Sequence, residues 1–346
     1  MKKICVIGHF GIGETLLNGQ TVKTKILYDT LVERYGEGEV ERIDTHGGVK
    51  ALLKLPFVLP LALLRCRNIV ILPAQNGLRT VTPILTVWNL LFRRSLHYAV
   101  IGGWLAPFLA ERKWLRGMLS RFDGVYVETA TMQKAIEALG LPNVFVMPNC
   151  KELRVLSEDE LYYPSGEPYR LCTFSRVMRE KGIEDAVDAV TAINERLGRT
   201  AYTLDIYGQV YGGESEWFEN LQTKFTDAIR YGGLVPFEKS VETLRESFAL
   251  LFPTRFFTEG IPGTVIDAYA AGIPVISARW ESYHDLIEEG VTGIGYELLD
   301  TEAFSEILLS LLDEPERLIR MKTACTEHAK RYLPNNAMGV LFDRLK

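Results

Sequence analysis

A chain of 346 residues exceeds what one hydrophobic core usually serves, so two domains are expected. Its composition, 47% hydrophobic and 24% charged, is that of an ordinary globular protein, and Cys5, Cys66, Cys150, Cys172 and Cys325 are scattered with no C-x-x-C spacing, which argues against a disulfide framework or a zinc site and fits a reducing cytoplasm. With a net charge of -5 and no recognition motif, nucleic acid is not an expected partner.

The opening MKKICVIGHF has too short an apolar run for a signal peptide and reads as a first strand over 3–8. The turn after it, GHFGIGETLLNGQT, spaces Gly8, Gly11 and Gly13 as G-x-x-G-x-G, not the G-x-G-x-x-G of a dinucleotide fold, and no helix opens directly behind it. That weakens a dehydrogenase reading. Gly13 is kept as a ligand-facing candidate, although a lone glycine turn is more often only a tight turn. A helix over 21–35 follows, then strands over 69–73, 98–101, 124–128 and 144–148 with a helix over 131–139. Alternating strand and helix predicts a parallel sheet.

Charge is unevenly spread along this first half. Residues 1–120 hold 16 Lys+Arg and 8 Asp+Glu, the remainder 23 and 36. Between Asp44 and Glu111 there is no acidic residue, while Lys50, Lys54, Arg65, Arg67, Arg79, Arg93 and Arg94 all lie there beside two apolar runs, LPFVLPLALL (55–64) and PILTVWNLLF (83–92). Each run is shorter than the roughly 20 residues of a membrane-spanning helix. Two readings stand with equal weight: a peripheral protein on an anionic membrane face, or two core helices with basic flanks.

Pro164, Ser165, Gly166 and Pro168 then suggest a linker, dividing the chain into domains 1–165 and 166–332 with a closing helical segment over 333–346. The second domain restarts the alternation: strands over 169–175, 201–208, 231–234, 247–254 and 275–277, and helices over 183–196, 215–230, 241–247, 264–271 and 304–330. Two doubly wound domains face to face would leave a ligand cleft at the C-terminal ends of their strands.

Two stretches of the second domain suit an anion. CTFSRVMREKGIEDAV ends a strand with Ser175 and Arg176 and supplies Arg179 and Lys181 before Gly182, a set of cations for a multiply charged group. RFFTEGIPGTVIDAYAAGIPV follows a strand with a loop and a helix start, where backbone N–H groups without partners favour phosphate and Gly263 lets it approach closely. The bland alternative is that Thr264-x-x-Asp267 is a capping box needing no ligand.

These residues carry a resemblance. S-R-x-x-x-x-K-G (175–182), L-x-I-x-G (204–208), Gly233 and Val235 before a helix, E-G-x-P-x-x-V-x-D-A-x-A-x-G-x-P-V-I (259–276) and IEEGVTG (287–293), in this order, make the second domain similar to the retaining glycosyltransferases of family four, of the α/β GT-B fold. More loosely, Asn18-Gly19-Gln20-Thr21, Ile101-Gly102-Gly103-Trp104, Glu128-Thr129 and Pro148-Asn149 make the first resemble members that build bacterial surface polysaccharides.

The resemblance implies an acceptor-binding first domain, with the final helix crossing back onto it, and a nucleotide-sugar-binding second domain. It implies roles for Glu259 at the reacting sugar, for Arg176 and Lys181 on the diphosphate, and for Asp267, in the place of a second glutamate, on the ribose hydroxyls. Ser175, Gly208, Gly263, Thr264 and Val265 would line the nucleotide, with Leu234 and Val235 near the base. There is no Asp-x-Asp triplet, so no metal or other cofactor is expected. His97 falls at the wrong end of its strand for a catalytic histidine, and His9 and His284 remain weak candidates. The expected function is transfer of a hexose from a nucleotide sugar, UDP favoured, to a lipid-linked saccharide at the cytoplasmic membrane face; the alternatives are a non-catalytic sugar-nucleotide-binding protein or an epimerase.

Overall fold

The structure, a computed structural model, describes residues 2–13, 19–47 and 49–346, the side chains of 49–52 excepted. Asn18 and the side chain of Lys50 thus lie outside the described residues. The chain divides into two compact units, Met1–Glu152 with Tyr332–Lys346, and Leu153–Arg331.

Unit 1 holds a parallel sheet of β1 (Lys2–Gly8), β2 (Val40–Asp44), β3 (Cys66–Ile71), β4 (Ser95–Ala99), β5 (Gly124–Val127) and β6 (Val144–Val146), ordered β2-β1-β3-β4-β5-β6. The sequence reading misses β2. Its VERID carries three charges and buries only Val40, which an edge strand tolerates and an apolar pattern search passes over. The runs at 55–64 and 83–92 belong to helices Val49–Arg65 and Gln75–Phe92. Leu55, Leu59, Leu63, Leu78, Val81 and Leu85 face the core, while Leu53, Phe57, Leu61, Leu64, Leu90 and Leu91 are exposed. Each helix is therefore apolar on two sides, one of them packed in the core of unit 1.

Unit 2 holds β7 (Tyr169–Phe174), β8 (Tyr202–Tyr207), β9 (Ile229–Gly233), β10 (Ala249–Phe252), β11 (Val275–Arg279) and β12 (Gly293–Glu297), all parallel, ordered β12-β11-β10-β7-β8-β9. β12, GIGYE, is a second strand absent from the sequence reading, its two glycines masking it. The helix expected over 215–230 stops at Gln222; the chain turns over residues 223–228 and edge strand β9 begins at Ile229. That expected over 304–330 is three helices, Thr301–Asp313, Glu316–Ile319 and Lys322–Ala329, the first break coming at Pro315, which cannot donate within a helix.

The division falls at 152/153, not 165/166. Segment 153–165 lies with unit 2, where the Leu156 N–H donates to Ala270 O at 2.9 Å and Leu161 lies so close to Gly272 that a Cβ there would come within 2.3 Å of it. Apolar residues ahead of the glycine and prolines thus find their core early. The closing segment is two short helices, Pro334–Ala337 and Gly339–Phe342, not one; Ala337, Met338, Leu341 and Phe342 pack with Ile4, Val6 and Leu27 of unit 1.

In a doubly wound sheet, ligands gather where neighbouring strands send their connections to opposite sides. In unit 2 that point lies between β7 and β10.

Candidate functional site

The loops leaving β7, β8 and β10 are locked together by backbone approach. Gly208, at φ 140°, passes so near the β7 loop that a Cβ would lie 1.7 Å from Ser175 O; Gly182, at φ 66°, so near the β10 loop that a Cβ would lie 1.9 Å from Pro253 O. Only glycine combines those dihedrals with that closeness. Behind Gly208, its N–H donates to Gly233 O at 2.8 Å, joining the β8 and β9 loops.

This frame sets the charged groups. The Lys181 ammonium donates to Glu259 Oε1, and Thr254 Oγ1 reaches the same oxygen at 3.3 Å. Both side chains of the pair are mostly buried, 11% and 18% exposed, and the ammonium lies 5.0 Å from the Phe256 ring centroid. Arg176 is exposed on the β7 loop. Arg179, grouped with these cations in the sequence, instead joins Glu214 at 3.2 Å and covers Trp217. Arg255 similarly pairs with Asp185 at 2.6 Å, fastening the β10 loop to the helix Ile183–Leu197.

The helix Gly263–Ala270 starts at the end of the same loop. Its N-cap is Pro262, and no side chain caps it. The capping box, the alternative reading of Thr264 and Asp267, is not formed, because Thr264 already lies inside the first turn and its Oγ1 is buried with no hydrogen-bond partner. Val265 N–H turns back to Pro262 O at 3.1 Å, so Val265 offers no donor to a ligand here, unlike Gly263 and Thr264. Such an uncapped start presents partial positive charge. Asp267, one turn further on, is 1% exposed and accepts a hydrogen bond from Ser240 Oγ at 2.9 Å. At the end of β9, Leu234 is exposed and Val235 half-buried.

Sequence reasoning misses Thr254 and Ser240. Thr254 lies two residues beyond the end of β10 and five ahead of Glu259, where no local pattern marks it. Ser240 lies 27 residues from its partner, and nothing local announces it.

In unit 1, Gly13 adopts φ 91° with open space where a Cβ would be. Its turn is held by Asp44, whose carboxylate accepts N–H groups of Phe10 at 2.9 Å and Ile12 at 3.0 Å. Partial burial pushes that carboxyl up, but these backbone donors outweigh it and hold it below the usual range. His9 lies between Thr21 Oγ1, 2.8 Å from Nδ1, and His46, 3.0 Å from Nε2. His97 is fully buried within β4, 2.9 Å from Tyr126 Oη, and burial drives its pKa down to about 4. His284 is exposed beside Tyr283.

The sequence of residues 168–314 matches the family described as "Glycosyl transferases group 1". Unit 2 carries a group 1 glycosyltransferase domain. Among curated proteins, this chain is 28% identical over 154 residues to the amylovoran biosynthesis glycosyltransferase AmsK of Erwinia amylovora, covering 42% of this chain and 36% of AmsK. It is 24% identical over 262 residues to a GDP-mannose-dependent monoacylated alpha-(1-6)-phosphatidylinositol monomannoside mannosyltransferase of Corynebacterium glutamicum, covering 71% of this chain and 67% of that protein. The match thus spans about a third of AmsK and about two thirds of the mannosyltransferase. Among solved structures, the Anabaena protein Alr3699/HepE in complex with UDP and glucose superposes with a TM-score of 0.72 at 14% identity, over 100% of this chain and 99% of that one. The glycosyltransferase domain and unit 1 together have the GT-B class of α/β fold.

Proposed function

We propose that the chain is a retaining, metal-independent glycosyltransferase that moves a hexose from a UDP-sugar to a lipid-linked saccharide in cell-surface polysaccharide assembly. One observation carries this reading: at the switch point of unit 2, a mostly buried Lys181–Glu259 pair lies beside the uncapped Gly263–Ala270 helix, with exposed Arg176 on the adjoining loop. A departing nucleoside diphosphate needs its growing charge neutralised. Lys181, Arg176 and the first N–H groups of the helix supply that charge in this reading, and the leaving phosphate oxygen takes the acceptor's proton. Glu259 faces the donor sugar, and the Leu234–Val235 backbone meets the base. UDP is favoured because the Anabaena neighbour holds it, while the mannosyltransferase relative is named for GDP-mannose, which makes GDP the competitor.

Unit 1 takes the acceptor in this reading and rests on the cytoplasmic membrane surface. No helix among the described residues is long and apolar enough to cross a membrane. What supports surface attachment is the exposed apolar face of helices Val49–Arg65 and Gln75–Phe92, where Phe57 is 75% and Leu91 74% exposed, in a stretch with no acidic residue and with exposed Lys54, Arg65 and Arg93.

Isothermal titration with UDP, GDP and ADP, with and without EDTA, tests the reading. Micromolar binding of UDP that survives the chelator and is lost in Arg176→Ala and Lys181→Ala is the expected result. Absence of binding to all three nucleotides overturns it.

A further inference from the structure

Asp267 lies where the resemblance places a ribose-binding carboxylate, yet it is 1% exposed, and so is Ser240, which donates to its Oδ1. A carboxylate that water cannot touch has no face to offer a ribose. The side chain is also one carbon–carbon bond shorter than a glutamate, about 1.5 Å of reach. On the two helices that carry the bond, Val241, Leu244, Val265, Ile266 and Ala268 are all buried. A hydroxyl donating to a carboxylate in such surroundings makes a strong, directional link.

The link joins two elements with different tasks. Ser240 opens the helix Ser240–Leu244, five residues beyond Val235 and after the short turn Phe237–Lys239. Asp267 belongs to the helix whose uncapped start faces the β7–β10 switch point. We infer that Asp267 is a positioning residue: through Ser240 it fixes the base-side segment against the anion-binding helix, and it makes no contact with the ribose hydroxyls. This rests on the proposal that unit 2 takes a nucleoside diphosphate. The nucleotide's two ends are then set at a fixed spacing by a buried bond that no ligand touches.

Titration of wild type, Ser240→Ala, Ser240→Thr and Asp267→Asn with UDP, 2′-deoxy-UDP and 3′-deoxy-UDP separates the roles. A positioning role predicts that Ser240→Ala and Asp267→Asn weaken all three ligands by a common factor, roughly tenfold. The preference of wild type for UDP over the deoxy analogues is retained, and Ser240→Thr, which keeps the hydroxyl, restores affinity. The inference is overturned if Asp267→Asn abolishes that preference while Ser240→Ala binds as wild type does. Should Asp267→Asn fail to fold, the serine variants decide alone: wild-type affinity in Ser240→Ala sinks the inference. Failure of wild type to bind UDP at all removes the nucleotide reading itself, a distinct result.

Discussion

Lys181 and Glu259, 78 residues apart in sequence, form an ion pair in which the carboxylate oxygen is also reached by Thr254. The two side chains assigned to opposite sides of one reaction thus neutralise each other before a donor arrives. Taking Glu259 to glutamine removes the charge while keeping shape and frees the ammonium for phosphate. Turnover, followed as UDP release from the UDP-sugar donor, is expected to fall roughly 100-fold or more, with UDP affinity equal to or tighter than wild type. Undiminished turnover removes Glu259 from the chemistry; a sugar-nucleotide-binding protein without activity shows no turnover in either form.

Gly182 and Gly233 both have positive φ, but only Gly182 faces backbone, at Pro253 O. Gly233→Ala meets open space and carries only the left-handed strain, about 1–2 kcal/mol. Gly182→Ala adds displacement of the β10 loop and moves Lys181, so it is expected to cost several kcal/mol more and to abolish UDP binding. Chemical denaturation and titration of the two variants compare them directly, and equal losses would contradict the close approach of the β7 and β10 loops.

His97 gives a pH signature. Burial lowers its pKa to about 4, with Lys346 and Arg344 assisting and Asp123 opposing, whereas an unfolded histidine titrates near 6.5. Below about pH 6.5 the unfolded chain takes up a proton that the folded chain refuses until about pH 4, so stability falls as pH drops through that window. Between pH 7.5 and 5 the loss is about 2 kcal/mol. His97→Gln cannot take up this proton, and its urea-unfolding curves at the two pH values should differ by that much less. An identical pH dependence in both proteins refutes the buried, neutral imidazole.

The exposed apolar face of unit 1 is tested with vesicles. Phe57→Asp combined with Leu91→Asp alters two side chains that are about three-quarters exposed and touch no core, so folding and UDP binding are expected to persist. Sedimentation with phosphatidylglycerol-rich vesicles should weaken roughly tenfold or more. Wild type that ignores anionic vesicles as it does neutral ones removes the membrane reading.

Much of unit 2 was legible because its motifs are local. A strand that ends in Ser175 and Arg176, and a proline-glycine turn that opens a helix at Gly263, announce themselves in consecutive residues whose backbone needs are short-range. The two missed strands show where that legibility stops. Val40–Asp44 is an edge with one buried side chain, and Gly293–Glu297 has glycines where an apolar pattern would be, so neither signals burial until a neighbouring strand supplies it.

The sequence by itself determined the alternation of strand and helix, the anion-suited loops of unit 2 and the bias of charge toward unit 1, since each follows from the chemistry of neighbouring residues. Tertiary structure decided the partners. It turned Arg179 to Glu214, set Lys181 against Glu259 and closed Asp267 onto Ser240, because loop closure and helix rotation fix which polar groups meet, and those distances are set by packing across the whole sheet.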